Sequence, residues 1–216
     1  MSQDNQIQRD VLAELKWEPS VAAAHIGVAA QDGVVTLSGQ VENFMNKYAA
    51  ERAARRVQGV KAVAEEIEVR LPKDRRRTDE QIAAAIVERL AWNVAVPQGA
   101  IQVKVEKGLV TLSGEVEWHY QKEAAELDVQ HLHGVMGLIN TITMRPQVDV
   151  KSIGDDIKIA LKRSWYTRPD SILVSAAAGK VKLSGIVHSP HARYVAGATA
   201  WNAPGTTSVE NDLTIN

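Results

Sequence analysis

The sequence contains no cysteine among its 216 residues, and its charges nearly cancel. Without cysteine there is no disulfide, no thiolate metal ligand and no cysteine nucleophile. The 25 Lys and Arg residues face 26 Asp and Glu residues. The chain therefore lacks the overall basic charge that is typical of proteins that bind nucleic acid, and nucleic acid is an unlikely partner.

Long apolar segments are also missing. No apolar run is long enough for a transmembrane helix. The N-terminal "MSQDNQIQRDVLAELKWEP" is polar and does not have the basic and then apolar order of a secretory signal. We therefore expect a cytoplasmic protein, or a periplasmic one if the starting Met has replaced a native export signal.

The known catalytic signatures are absent as well. There is no Walker loop, no glycine-rich dinucleotide turn and no G-x-S-x-G elbow. Ser38, Ser113 and Ser184 recur inside predicted strands, which indicates a role in the fold. The pair His131 and His133, like the other histidines, lacks the three or four converging ligands that zinc requires. We predict no enzymatic activity, no catalytic residue, no metal and no cofactor.

What the sequence does contain is one unit in three copies. "GVVTLSGQVE" begins at Gly33, "GLVTLSGEVE" at Gly108 and "GKVKLSGIVH" at Gly179, so the copies are offset by 75 and 71 residues. The same offsets relate apolar residues on both sides of this phrase, which indicates true repeats. We predict three domains, at residues 1–71, 78–146 and 147–216, with a basic linker at 72–77.

Each copy predicts the same order of elements. Apolar residues at i, i+4 and i+8, such as Ile7, Val11 and Leu15, predict an amphipathic first helix. Asp4, Thr78 and Ser152 are candidate N-caps, with Thr78 and Gln81 forming a capping box. A β-hairpin, a second helix and a third strand parallel to the second then follow. The fold class is α+β: three αββαβ units, each with two helices on one face of a small mixed sheet.

Nine glycines recur at three positions of the repeat. One position lies in the hairpin turn, one on the apolar face of the second strand, and one after the second helix. We expect a turn, a close approach or bulge, and a helix C-cap respectively. These structural glycines are Gly33, Gly39, Gly59, Gly108, Gly114, Gly134, Gly179, Gly185 and Gly205.

This pattern resembles the BON domain family. The resemblance rests on the first helix, the G-x-V-x-L-x-G-x-V strand, the second helix, and a last strand that carries Asn140 or Asn211, with Glu65 at that position in the first copy. The resemblance covers nearly the whole chain. Within the family, the sequence is similar to the osmotically inducible protein Y group of bacteria. The resemblance implies binding rather than catalysis: phospholipid surfaces, partner proteins in chaperone-like members, or potassium.

Two candidate surfaces follow. Basic residues cluster on the second helix of copy one and in the first linker, and such clusters attract anionic lipid headgroups. A Trp-Tyr pair beside a basic residue in copy three suits a membrane or a protein interface. The candidate residues are Lys47, Arg52, Arg55, Arg56, Lys73, Arg75, Arg76, Arg77, Trp165, Tyr166 and Arg168.

The alternative is that these cations bind no lipid and instead form a solvated helix face or guide docking between units. Trp17 and Trp92 occupy equivalent positions after the first helix, so we expect a structural role for both. Two functional hypotheses remain. The first is a stress-associated protein that attaches to anionic phospholipid. The second is a soluble protein-interaction or chaperone-like module, which could also respond to a monovalent cation such as potassium.

Overall fold

The computed structural model describes residues 3–73, 76–145, 153–164 and 171–215. It shows three successive αββαβ repeats and confirms the predicted α+β class. The first repeat comprises α1 (Gln3–Trp17), β1 (Ile26–Gln31), β2 (Val34–Val41), α2 (Phe44–Arg56) and β3 (Ala62–Val69). The second comprises α3 (Asp79–Trp92), β4 (Ile101–Glu106), β5 (Leu109–Val116), α4 (His119–Gln130), β6 (Gly137–Asn140) and β7 (Thr143–Met144). The third comprises α5 (Ile153–Arg163), β8 (Ile172–Ala177), β9 (Lys180–Val187), α6 (Pro190–Trp201) and β10 (Ser208–Ile215).

Each sheet has the hairpin and crossover topology that the sequence predicts. β1 runs antiparallel to β2, and β3 returns parallel to β2. The third repeat has the same arrangement, with the order β10-β9-β8. In the second repeat the closing strand is divided into β6 and β7, and each of the two pairs separately with β5. In each repeat the second helix connects the two parallel strands in sequence, as a crossover connection requires.

The cores of the first and third repeats are built from the predicted stripes. Ile7, Val11 and Leu15 of α1 are buried with alternate residues of the sheet, among them Val35 and Leu37. Buried alanines on α2 and α6 let each second helix lie close to its sheet. Complete burial of a Leu or Ile side chain contributes about 1.5–3 kcal/mol, so these stripes account for much of each repeat's stability.

The hairpin turns have the predicted geometry. Asp32 and Gly33 both have positive φ, at 53° and 81°, as a two-residue type I′ turn requires. Asp4 is not the N-cap that the sequence predicts, because α1 begins before it. Its carboxylate instead accepts a hydrogen bond from the Gly33 N–H at 3.2 Å. The equivalent Asp79 accepts from the N–H groups of Lys107 and Gly108, at 2.7 and 2.8 Å. This aspartate therefore holds the hairpin turn against the first helix.

The predicted capping box is present. Thr78 Oγ1 accepts from the Gln81 N–H at 3.2 Å, and Gln81 Oε1 accepts from the Thr78 N–H at 3.1 Å. The other candidate cap, Ser152, lies outside the described residues. α6 is a continuous helix across Gly197, where an added Cβ would lie 2.9 Å from the Asn211 side chain.

The glycine on the second strand is explained by backbone crowding. Gly39 has φ 132°, and a Cβ built on it would lie 2.1 Å from the carbonyl oxygen of His25. Gly114 and Gly185 meet Ala100 and Ser171 in the same way. The close neighbour is thus the chain entering the first strand, and not a helix. The pairing of β1 with β2 continues one-to-one up to Gly39, so this position is no bulge.

By Cα proximity the chain divides into two compact units. The first comprises Met1–Trp92, Val103–Leu112 and Glu126–Asn140, and the second comprises Asn93–Gln102, Ser113–Ala125 and Thr141–Asn216. The first repeat lies wholly in the first unit, and the third repeat lies wholly in the second.

Candidate functional site

Lys47 of α2 forms an ion pair and a hydrogen bond within the first repeat. Its Nζ lies 2.6 Å from a Glu65 carboxylate oxygen and donates to the Ile67 carbonyl at 2.9 Å, with only 25% of its side chain exposed. Lys122 and Arg193 occupy the same repeat position and also donate to carbonyls of the closing segment, at 2.7 and 2.9 Å. This cation fastens the second helix to the edge of the sheet. Its recurrence at both repeat offsets was the sequence signal for that role.

Other cations of α2 are engaged by nearby carboxylates. Arg55 lies 2.6 Å from Glu51, and Arg56 lies 2.9 Å from Glu14 and 3.4 Å from Glu18. A hydrogen bond from Ser20, together with Arg56, lowers the pKa of Glu18 below its ordinary value. These partners neutralise much of the charge that the sequence places on this helix face.

Arg52, the remaining candidate on α2, is exposed, and its guanidinium lies 5.8 Å from the centre of the Tyr48 ring. This distance suits a weak cation–π contact. The Arg52 guanidinium therefore lies beside the Tyr48 ring on the surface of the helix.

The basic linker residues that the structure describes are all exposed: Lys73, Arg76 and Arg77. Arg76 Nε donates to the Leu71 carbonyl at 3.3 Å, and Arg77 Nη1 donates to the Arg76 carbonyl at 2.9 Å. Hydrogen bonds to carbonyls orient a guanidinium without removing its charge. Arg75 lies outside the described residues.

A groove of about 590 Å³ runs beside this linker, and we call it the linker groove. Its apolar part includes Val69, Leu71 and Met136. Its charged lining consists of four cations, Arg70, Arg76, Arg77 and Lys107, and two carboxylates, Glu68 and Asp79. Asp79 accepts two backbone N–H groups, and Glu68 lies 2.9 Å from Arg70. The lining is therefore net positive. Sequence reasoning found the linker cations but missed Arg70 and Lys107, which only the fold brings beside them.

The aromatic residues lie differently from what the sequence predicts. Trp17 and Trp92 are 84% and 81% exposed, so the structural role expected for both is wrong. In the second compact unit, the ring of His119 stacks on that of Trp201, with centroids 3.9 Å apart and an angle of 15°. The candidates Trp165, Tyr166 and Arg168 lie outside the described residues.

Histidine and acidic side chains show no metal-binding arrangement in the described part of the chain, where no three such groups converge. His131 Nδ1 lies 2.7 Å from the Leu127 carbonyl, at the end of α4. Ser38, Ser113 and Ser184 lie within β2, β5 and β9, as predicted. In the residues that the structure covers, no helix is long and apolar enough to cross a membrane.

Comparison with known proteins places the three repeats in a known domain family. The model of the BON domain matches residues 3–70, 78–146 and 149–216. Osmotically-inducible protein Y of Escherichia coli (strain K12) is 29% identical over 143 residues, which cover 64% of this chain and 71% of that protein.

Two solved structures of CdsD, a structural protein of the type III secretion system of Chlamydia trachomatis, also align with the chain. The first is 16% identical, covers 98% of this chain and 92% of that one, and has a TM-score of 0.28. The second, of the C-terminal domain, is 17% identical, covers 100% of both chains and has a TM-score of 0.27. TM-scores this low carry no argument about this chain.

Proposed function

This chain belongs to the BON domain family, and we propose on that premise that it is a non-catalytic, stress-associated protein that attaches to anionic phospholipid surfaces. The similarity to an osmotically-inducible protein supports the association with stress. Absence of any known catalytic motif supports a binding role.

The linker groove is the observation that carries the lipid proposal. It gathers Arg70, Arg76, Arg77 and Lys107 around an apolar floor at the surface. Arginine presents a planar fork that matches phosphate oxygens in two hydrogen bonds. Cations near an anionic membrane surface contribute about 1 kcal/mol each. The groove thus supplies both the charge and the shape that a phosphate headgroup needs.

The cations on α2 are poorer candidates for the primary contact. Arg55 and Arg56 already have carboxylate partners, and Lys47 is held within the first repeat. A lipid phosphate would have to displace those partners, as it would displace Glu68 from Arg70 in the groove, but the groove also gathers three other cations beside apolar side chains. We therefore place the lipid contact at the linker groove and not on α2.

Vesicle co-sedimentation of the full chain tests this placement. The wild type should pellet with vesicles that contain phosphatidylserine and not with neutral phosphatidylcholine vesicles, and added salt should release it. Replacing Arg76 and Arg77 by alanine removes two cations, so we expect binding to weaken by about 30-fold. The double variant Arg55→Ala and Arg56→Ala changes the net charge equally but should bind nearly as the wild type does.

Equal losses in both double variants would show that net charge alone governs attachment and would reject the groove as the site. No pelleting of the wild type under any condition would reject the lipid function. The matched variants therefore separate the location of the site from the function itself.

A second candidate function is protein binding through exposed tryptophans. Trp17 and Trp92 lie at the same repeat position and are both more than four-fifths exposed. Tryptophan is enriched in the centres of protein interfaces. Capture of an unfolded protein that resists salt and is lost on replacing both tryptophans by alanine would favour this function over lipid attachment.

A further inference from the structure

The first strand of each hairpin forms one edge of its sheet, and the three edges differ. β1, β4 and β8 are the equivalent strands. In the third repeat the two-residue turn makes Ala177 and Lys180 the closing hydrogen-bonded pair. Pairing alternates along an antiparallel ladder, so Val174 and Ala176 direct their N–H and C=O groups away from β9. We call these outward backbone groups the β8 edge.

The corresponding edge of the first repeat is covered by a side chain. Gln8 of α1 donates from Nε2 to the Val28 carbonyl at 2.7 Å. Val28 is the repeat equivalent of Val174. An added strand would need that same carbonyl, so Gln8 blocks strand addition to β1.

The corresponding edge of the second repeat is protected by charge. Lys104 lies in β4 with its side chain 68% exposed, and its Nζ is 3.1 Å from Glu106 of the same strand. Charged side chains on an edge strand, lysine above all, discourage pairing with another chain.

Among the described residues of the third repeat, neither form of protection is present. Glycine (Gly154) stands at the position of Gln8, and serine (Ser175) stands at the position of Lys104. A Cβ added to Gly154 would make ordinary contact with the Cβ of Ala176, at 3.7 Å, so at this position α5 lies beside β8 without presenting a side chain to its edge. β8 contains no charged residue and no proline, and its residues Ser175, Ala176 and Ala177 are exposed.

The opposite edge of the same sheet is protected. Arg193 donates from Nη2 to the Asn211 carbonyl on β10 at 2.9 Å, and Glu210 and Asp212 add charge to that strand. Lys182 on β9 lies 3.1 Å from Glu210 and 2.7 Å from Asp212. Strand addition to this sheet is therefore favoured at β8 and opposed at β10.

We propose that the β8 edge pairs with the β8 edge of a second copy of this chain, antiparallel and about a two-fold axis at Ser175. Val174 would then exchange both backbone hydrogen bonds with Ala176 of the other copy. Leu173, which is 71% exposed, would face the small Ala177. The two sheets would join in the order β10-β9-β8-β8-β9-β10.

Symmetry is the reason for choosing a second copy as the occupant. A two-fold pairing about Ser175 places this residue opposite its own duplicate, so a charge at that position would face an identical charge. The absence of charge along Ile172–Ala177 satisfies this condition. β4 does not satisfy it, because Lys104 occupies the position equivalent to Ser175.

Sedimentation equilibrium of the full chain over a wide concentration range tests the proposal. The wild type should dimerise. Ser175→Lys places two like charges directly opposite each other, so it should weaken the dimer by about tenfold or more, and Ser175→Glu should do the same. An equimolar mixture of these two variants should dimerise again. Ala29→Lys, at the equivalent exposed position of the covered β1 edge, should leave the dimer unchanged.

Gly154→Gln gives the third repeat the amide that covers β1, and it should also favour the monomer. A wild type that stays monomeric at every soluble concentration would overturn the proposal. So would a dimer that Ser175→Lys and Gly154→Gln leave intact, or a charge-swapped mixture that stays monomeric. Amide exchange supplies a second readout, because dimerisation should slow exchange at Val174 and Ala176 specifically. Protection there that requires an added peptide would assign the edge to a different partner and reject self-pairing.

Discussion

Replacing Gly114 by alanine would test whether the repeated strand glycine is required by a backbone contact. Gly114 has φ 133°, a conformation that residues with a side chain rarely adopt. A Cβ at this position would lie 2.1 Å from the Ala100 carbonyl oxygen. The obstacle is backbone at the start of β4, so no rotation of a side chain can relieve it.

Gly99, in the same repeat, provides the matched control. Its φ is also positive, at 72°, but an added Cβ would meet nothing within 4 Å. Gly99→Ala therefore carries only the cost of a left-handed residue, about 1–2 kcal/mol. Gly114→Ala carries about 1–3 kcal/mol of backbone strain and about 1–3 kcal/mol for overpacking. The strand variant should be destabilised by roughly twice as much as the control or more.

Calorimetry combined with residue-resolved amide exchange would measure the difference. Three repeats need not unfold together, so a single free energy for the chain is not defined, and exchange must report the second repeat. A domain of this size loses about 4–8 °C in Tm per kcal/mol. We expect a loss of about 8 °C or more for Gly114→Ala. Equal losses in the two variants would refute the argument that the Ala100 carbonyl imposes this glycine.

Four further predictions concern individual side chains. Lys47→Met should destabilise the first repeat by about 1–2 kcal/mol in urea, with exchange as readout, because it removes the cation beside the partly buried Glu65 carboxylate on β3. Asn43→Ala removes the side chain that accepts from the N–H of the third residue of α2, and should cost about 1 kcal/mol in the same measurement. The pKa of Glu18 is lowered from 4.5, so its carboxylate contributes stability above that pH, which is lost as the pH falls below it. Glu18→Gln should therefore reduce the difference in Tm between neutral and acid solution. Replacing Trp17 and Trp92 by phenylalanine should reduce the tryptophan fluorescence that iodide quenches, because both rings are exposed.

The fold was predictable because the same local signals occur three times. A helix stripe such as Ile7, Val11 and Leu15 is ambiguous in one copy, but its recurrence at fixed offsets gives it a register. Positive φ at Asp32 and Gly33 follows from turn chemistry alone. Both features depend on residues that are near in sequence, and both were predicted correctly. The C-cap role predicted for Gly59 and Gly205 was wrong, because the C-caps of α2 and α6 are Val57 and Asn202.

Contacts between distant residues were not predictable in this way. Asp4 has the residue type of an N-cap, but its partner is the Gly33 N–H, 29 residues away. Composition places Arg56 in a basic cluster, whereas its carboxylate partners Glu14 and Glu18 lie on α1 and just after it. A list of charges shows where cations occur, and only the fold shows which carboxylates lie beside Arg56.

The three repeats are most informative where they differ. Their cores use the same positions, so a core residue reveals little about what one repeat does and another does not. At the edge formed by the first strand, one position on the neighbouring helix and one on the strand hold Gln8 and Ala29 in the first repeat, and Gly154 and Ser175 in the third. All three copies share the αββαβ order, so this order does not itself require an edge that is covered in one copy, charged in another and, among the described residues, uncovered in the last. We attribute the difference to what each edge meets, and among the described strands it favours β8 as the edge that pairs with another polypeptide.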